Sequence, residues 1–155
     1  MSRGLTDSIV STFVANLAVL DAIASRYGFK HEVFWQPNAL VGLKPLTREE
    51  QDMRAHEGIR PLVQLVYSGV SCVAARSKHI HDLSNVFAGE SALVYLDWNH
   101  VTSTGNRVIA RAIAQAVTAA NTSVPPTGQP PTAVPLLPRE CQAVAAKPRI
   151  ARVRQ

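Results

Sequence analysis

Apolar residues recur at steps of three and four through LTDSIVSTFVANLAVLDAIASRYGF, where Ile9, Phe13, Leu17, Leu20, Ala24 and Tyr27 share one helical face. That spacing predicts an amphipathic helix, with Thr6 or Asp7 as its N-cap and Gly28 as its stop. The pattern then shortens. HEVFWQP is a brief apolar run closed by Pro37, the signature of a buried strand whose C-terminal end opens into a loop. Beyond it, Thr47 and Glu50 have capping-box spacing and predict a helix starting near Thr47. Gly58 and Pro61 break that helix, and RPLVQLVYSGVSCVAARS begins another with Pro61 in its first turn. KHIHDLSNVF reads as a second short strand. ALVYLDWNH leads into a last helix, about residues 103 to 119, with Val108, Ile109, Ala112, Ile113, Ala116 and Val117 on a broad face. Helices alternating with short buried strands predict an α/β fold, a parallel sheet covered by helices, with chemistry gathered at the C-terminal strand ends.

After residue 120 the pattern changes character. Seven prolines fall between Pro125 and Pro148, and five of the six charged residues in 121–155 are basic. This composition sustains neither a helix nor a core, so the expected organisation is a domain over 1–120 and a Pro-rich, basic, disordered tail over 121–155. The formal charge of +5 belongs mostly to that tail, since residues 1–120 hold eleven Lys/Arg against ten Asp/Glu. No specific nucleic-acid partner is expected, because no aromatics interleave with the basic residues. No uninterrupted apolar run approaches the roughly 18 residues of a membrane span, and no export signal is legible at the N-terminus. Cys72 and Cys141 are the only cysteines, too few for a disulfide framework, and are read as ordinary thiols.

Candidate chemistry centres on YLDWNHVTSTGNRVIARAIA. Asp97 and His100 stand three residues apart in a turn anchored by the following helix. A carboxylate that accepts the Nδ1 proton fixes the tautomer of an imidazole and stabilises the imidazolium formed when it acts as a base. Gln36 at a strand end and Trp98 inside the motif are candidate cleft residues, while Trp35 suits a core position. Gly105 and Asn106 suit the turn into the last helix. His79 and His81 would share one side of a strand, as two metal ligands might, but the sequence fixes no third ligand, and packing or surface roles are expected.

At these residues the chain resembles the SGNH/GDSL-like hydrolase superfamily. DWNHVTSTGNRVIARAIA is similar to its last block, in which an aspartate, two residues, a histidine and a Gly-Asn turn precede the final helix. FVANLAVLDAIASRYGF, VFWQPNALVGLKPLTREE and HDLSNVFAG are similar to the penultimate helix, the Gln-Pro strand end with the Lys-Pro-Leu-Thr helix entry, and the strand before the block, so the likeness covers about residues 6–118. The resemblance implies a flavodoxin-like three-layer α/β/α sandwich with a parallel sheet, Asp97 and His100 as triad acid and base, and hydrolysis of carbohydrate, lipid or other small-molecule esters through a serine acyl-enzyme without cofactor or metal. It also implies an N-terminally truncated domain, because the family's Gly-Asp-Ser block and its Gly-x-Asn block have no counterpart before Asp97. The nucleophile is unassigned. Ser71, in SGVSCVA, sits in a helical setting that does not spell a nucleophile elbow. Two other readings stand beside this one: a noncatalytic remnant or binding module, and a polyanion-binding protein using its basic tail.

Overall fold

In a computed structural model the chain has the element order α1 (Arg3–Tyr27), β1 (Val33–Trp35), α2 (Arg48–Ala55), α3 (Arg60–Ala74), β2 (Ile80–Asp82) and α4 (Ser103–Thr122). The structure describes residues 3–55, 58–122 and Cys141. β1 and β2 pair in parallel, with Val33 opposite Ile80 and Trp35 opposite Asp82, so the fold is mixed α/β as its sequence pattern predicts. The apolar run 92–96 forms no strand, only an isolated antiparallel bridge between Tyr95 and Val101.

α1 begins earlier than the capping signal suggests. Thr6 is fully buried inside the helix, and its hydroxyl has no hydrogen-bond partner among the described residues, so neither Thr6 nor Asp7 is the N-cap. The buried stripe also differs from the predicted one. Val10, Val14 and Ala24 turn inward, whereas Ile9 and Tyr27 are exposed, with Tyr27 at 76%. Gly28 does end the helix: its φ of 70° is left-handed, and its N–H and that of Phe29 both reach the Ala24 carbonyl. Gly4–Tyr27 is long and apolar enough to cross a membrane by length and composition, a property that counting uninterrupted apolar runs does not register.

Two clusters make the core. Val10 and Val14 of α1 pack with Val66 and Val70 of α3, and Phe13 and Trp35 close that cluster. Ala39, Phe87, Val94 and Tyr95 form the second, joined by Met53 of α2 and by Val108 and Ile109 of α4. The predicted face of α4 is therefore the one that packs, apart from exposed Val117. Gly105 allows the approach. A Cβ there would lie 2.9 Å from the Val101 Cβ and 3.1 Å from the Val94 carbonyl oxygen, too tight for the first turn of α4 to stay seated.

The cysteines are not free thiols. Cys72 and Cys141 form a disulfide, and Cys141 is fully buried in the α1–α3 cluster. The expectation of a disordered tail otherwise lies outside the described residues. A bridge between residues 69 apart removes loop entropy from the unfolded chain worth about 4 kcal/mol. Cys72→Ser, or reduction of the wild type, should therefore lower the urea midpoint by that order of stability; an unchanged midpoint in reductant would show that the bridge is not formed in solution.

A buried carboxylate supports the second cluster. Glu50 accepts Lys44 Nζ at 2.6 Å and the Thr47 N–H at 2.9 Å on Oε2, and the Val94 and Tyr95 N–H groups, each at 3.0 Å, on Oε1. The Thr47 hydroxyl accepts the Glu50 N–H in return, which completes the capping box that the spacing predicts. Burial by itself would raise the Glu50 pKa, but Lys44 and the three backbone donors outweigh it and hold the carboxyl below its ordinary value. A depressed folded pKa contributes stability that is present above the unfolded value, about 4.3, and is lost as pH falls through the folded one. Glu50→Gln leaves Lys44 buried without a counter-charge and should destabilise the fold by about 3 to 5 kcal/mol, read by urea denaturation at pH 7.

Candidate functional site: the Asp97–His100 loop and its cleft

The loop is held at its base before any catalytic geometry is considered. The Leu96 N–H donates to the His100 carbonyl at 2.9 Å, and the Thr102 N–H donates to the Val94 carbonyl at 2.8 Å. Thr102 caps α4 as its Oγ1 accepts the Gly105 N–H at 3.2 Å. Residues 95–101 thus form a closed loop whose two stems are anchored to Glu50 on one side and to α4 on the other.

Within it, the two oxygens of Asp97 divide the work. Oδ1 accepts the backbone N–H groups of Asn99 and His100, both at 2.7 Å, and Oδ2 lies 2.7 Å from His100 Nδ1. The backbone N–H groups of His100 and Asn99, then the imidazole, pull the Asp97 pKa down to about 2. An ionised carboxylate only accepts, so Nδ1 is the donor and Nε2 of the neutral ring carries the lone pair. No described residue hydrogen-bonds to Nε2, and the His100 side chain is 74% exposed. This is the tautomer a general base requires.

Gln36 and Trp98 line one open cleft of about 250 Å³ together with Trp35, Tyr67 and Asn99. Gln36 follows the last residue of β1 and its Nε2 donates to Asn99 Oδ1, while the Ala39 N–H donates to the Trp98 carbonyl at 3.0 Å. The loop therefore sits at the C-terminal end of β1, where α/β sheets gather their chemistry. Tyr67 adds a clamp, its hydroxyl donating to the Gln36 carbonyl at 2.9 Å; burial raises its pKa, so it stays a neutral donor. Trp35 is both wall and core, with its ring edge-on to Phe13 and Tyr67 at centroid distances of 5.1 and 5.4 Å.

Other candidates go elsewhere. Ser71 donates to Asp82 Oδ2, and Asp82 Oδ1 caps the Ser84 N–H, so this serine is bonded to a carboxylate rather than to an imidazole base. His79 and His81 do share a side, but both meet Glu32, at 3.5 and 2.7 Å, and His81 stacks on Phe34. Among the described residues no group of three or more His, Cys, Asp or Glu side chains is placed to hold a metal ion. Gly105 and Asn106 lie in the first turn of α4, as their turn chemistry suggests.

Reasoning from sequence missed Asn99, which joins the loop to β1, and Glu50, which fixes its stem. The signal for Asn99 was its place between Asp97 and His100; for Glu50 there was a capping signal but none for its distant partners. Comparison of the chain with protein-family models, with curated proteins and with solved structures finds no match.

The Asp97 geometry has a direct readout. The depressed pKa implies a carboxylate that stays ionised, and a loop that stays ordered, through pH 4 and 3, both being lost as pH falls through about 2. A carbon-13 NMR titration of the Asp97 carboxyl should have its midpoint near 2, and a midpoint near the ordinary aspartate value of about 3.9 would mean that the two backbone bonds are not made.

Proposed function

We propose that this chain carries the acid–base part of an SGNH/GDSL-type serine ester hydrolase, with Asp97 as the triad acid and His100 as the base. The observation that carries the reading is the 2.7 Å contact between Asp97 Oδ2 and His100 Nδ1, with Nε2 unpartnered among the described residues. In this reading β1 and β2 belong to a wider parallel sheet in a flavodoxin-like three-layer sandwich. The nucleophilic serine and the oxyanion donors are assigned to no residue of this chain and would come from a segment bearing a Gly-Asp-Ser block.

The steps follow from the geometry. Nε2 takes the proton of the serine hydroxyl as its oxygen attacks the ester carbonyl, and the positive charge on the ring is stabilised by Asp97. The same proton passes to the departing alkoxide, leaving an acyl-enzyme. Water, deprotonated by Nε2 in turn, releases the acid. Ser71 takes no part, because its hydroxyl is engaged by Asp82.

The experiment compares p-nitrophenyl ester hydrolysis by the 155-residue chain alone and by the chain joined to a segment carrying the Gly-Asp-Ser block. The chain alone should be no faster than its His100→Ala variant, since triad members act as a unit. In the joined protein His100→Ala should lower kcat about 10⁶-fold and Asp97→Asn about 10⁴-fold. Full activity in the joined His100→Ala protein would remove the hydrolase reading and leave a noncatalytic binding module as its successor.

A further inference from the structure

The cleft beside the Asp97–His100 loop has a chemical character of its own. Ile9 of α1 and Leu62, Val63 and Val66 of α3 make an apolar wall, and the indoles of Trp35 and Trp98 face into the same space. Its polar side chains are the carboxamides of Gln36, Asn38 and Asn99 and the hydroxyl of Tyr67, which is donated to the Gln36 carbonyl. Asn99 uses Oδ1 for Gln36, and its Nδ2 has no hydrogen bond among the described residues, so an unengaged amide donor stands in the residue next to His100. Among the described residues no charged side chain lines the cleft. An apolar cavity of about 150 Å³ is enough for a benzene-sized molecule, so about 250 Å³ exceeds what an acetyl group would fill.

We propose that this cleft is an acyl-chain site, selecting esters of aliphatic acids several carbons long, with the carbonyl end at Asn99 and the chain running between α1 and α3. The proposal deepens the hydrolase reading and rests on it for the identity of the ligand. Three features fix the class. The absence of charge in the lining disfavours a phosphorylated or cationic ligand, because no counter-charge would replace its lost hydration. The aliphatic wall offers a sugar ring few hydrogen-bond partners for its hydroxyls. Asn99 is the lining residue that directly precedes His100, so the ester carbonyl is assigned to the Asn99 end of the cleft. Asn99 is then a specificity-determining residue, and Val63 and Leu62 set chain length.

The test uses the full chain and needs no catalysis, since both tryptophans of the protein line the cleft and their fluorescence reports occupancy. Methyl acetate, methyl butanoate, methyl hexanoate and methyl octanoate, neutral probes that bring no charge into the cleft, are titrated in turn. Each buried methylene should tighten Kd about threefold to fourfold, so methyl hexanoate should bind about tenfold more tightly than methyl butanoate. Val63→Phe, which fills the cleft, should weaken methyl hexanoate at least tenfold and leave the chain folded by circular dichroism; if that variant does not fold, Ile9→Asp reads the same wall from α1. His100→Ala should keep the chain-length dependence. Equal Kd values for methyl acetate and methyl hexanoate, or methyl hexanoate binding indifferent to the wall variants, would overturn the proposal. The two readings separate cleanly. Chain-length-dependent binding with no hydrolysis by the joined protein would sink the hydrolase and leave the acyl site standing, whereas hydrolysis equally fast from acetyl to octanoyl esters would sink the acyl site and leave the hydrolase.

Discussion

A single buried carboxylate with four donors underlies the arrangement of this molecule. Glu50 is fully buried, and a charge there is tolerated only because Lys44, one helix-start N–H and two N–H groups from a distant loop satisfy both of its oxygens. The two loop donors matter most for function. Val94 and Tyr95 form no regular strand, so nothing in a sheet ladder would hold them, and the backbone hydrogen bonds they would otherwise lack are supplied by Glu50. On the far side the Val94 carbonyl accepts the N–H of Thr102, the residue that caps α4. The candidate catalytic loop is suspended between these fixed points.

That dependence explains what could be read from the sequence and what could not. Both strands, their parallel sense, the Pro61 start of α3 and the packing face of α4 follow from periodicity and turn chemistry, which are local. The Asp97–His100 contact was legible for the same reason, as three residues of turn bring the groups together. The Thr47–Glu50 capping box was legible, but a capping signal accounts for one carboxylate oxygen only. Where the other points depends on a chain segment 44 residues later, and no local pattern encodes that. The start of α1 was misplaced because Thr6 is a good cap residue in isolation, whereas packing against α3 extends the helix beyond it and buries the hydroxyl.

The cysteines illustrate the limit from another side. Two thiols separated by 69 residues carry no spacing signal, and only the fold brings Cys141 against Cys72 on the α1–α3 cluster. The histidines lie between these extremes. His79 and His81 share a side by strand alternation, and the parallel register that sets Val33 opposite Ile80 puts Glu32 within reach of both. Once the pairing is known, two histidines expected in packing or surface roles are seen to bracket a carboxylate.

Asp82 and Asp97 are two carboxylates that hold a side chain in the same way. Asp82 holds Ser71 through one oxygen and the Ser84 N–H through the other, so a helix residue is tied to a strand end and the serine proton already has an acceptor. Asp97 also divides its oxygens, but its partner is an imidazole with a second nitrogen. A hydroxyl bonded to a carboxylate has its only proton committed, whereas an imidazole that donates from Nδ1 keeps a lone pair at Nε2. The same motif of backbone-plus-side-chain acceptance therefore ties a serine at Asp82 and orients an imidazole at Asp97. What separates them is the identity of the residue held, together with the 74% exposure of the His100 side chain.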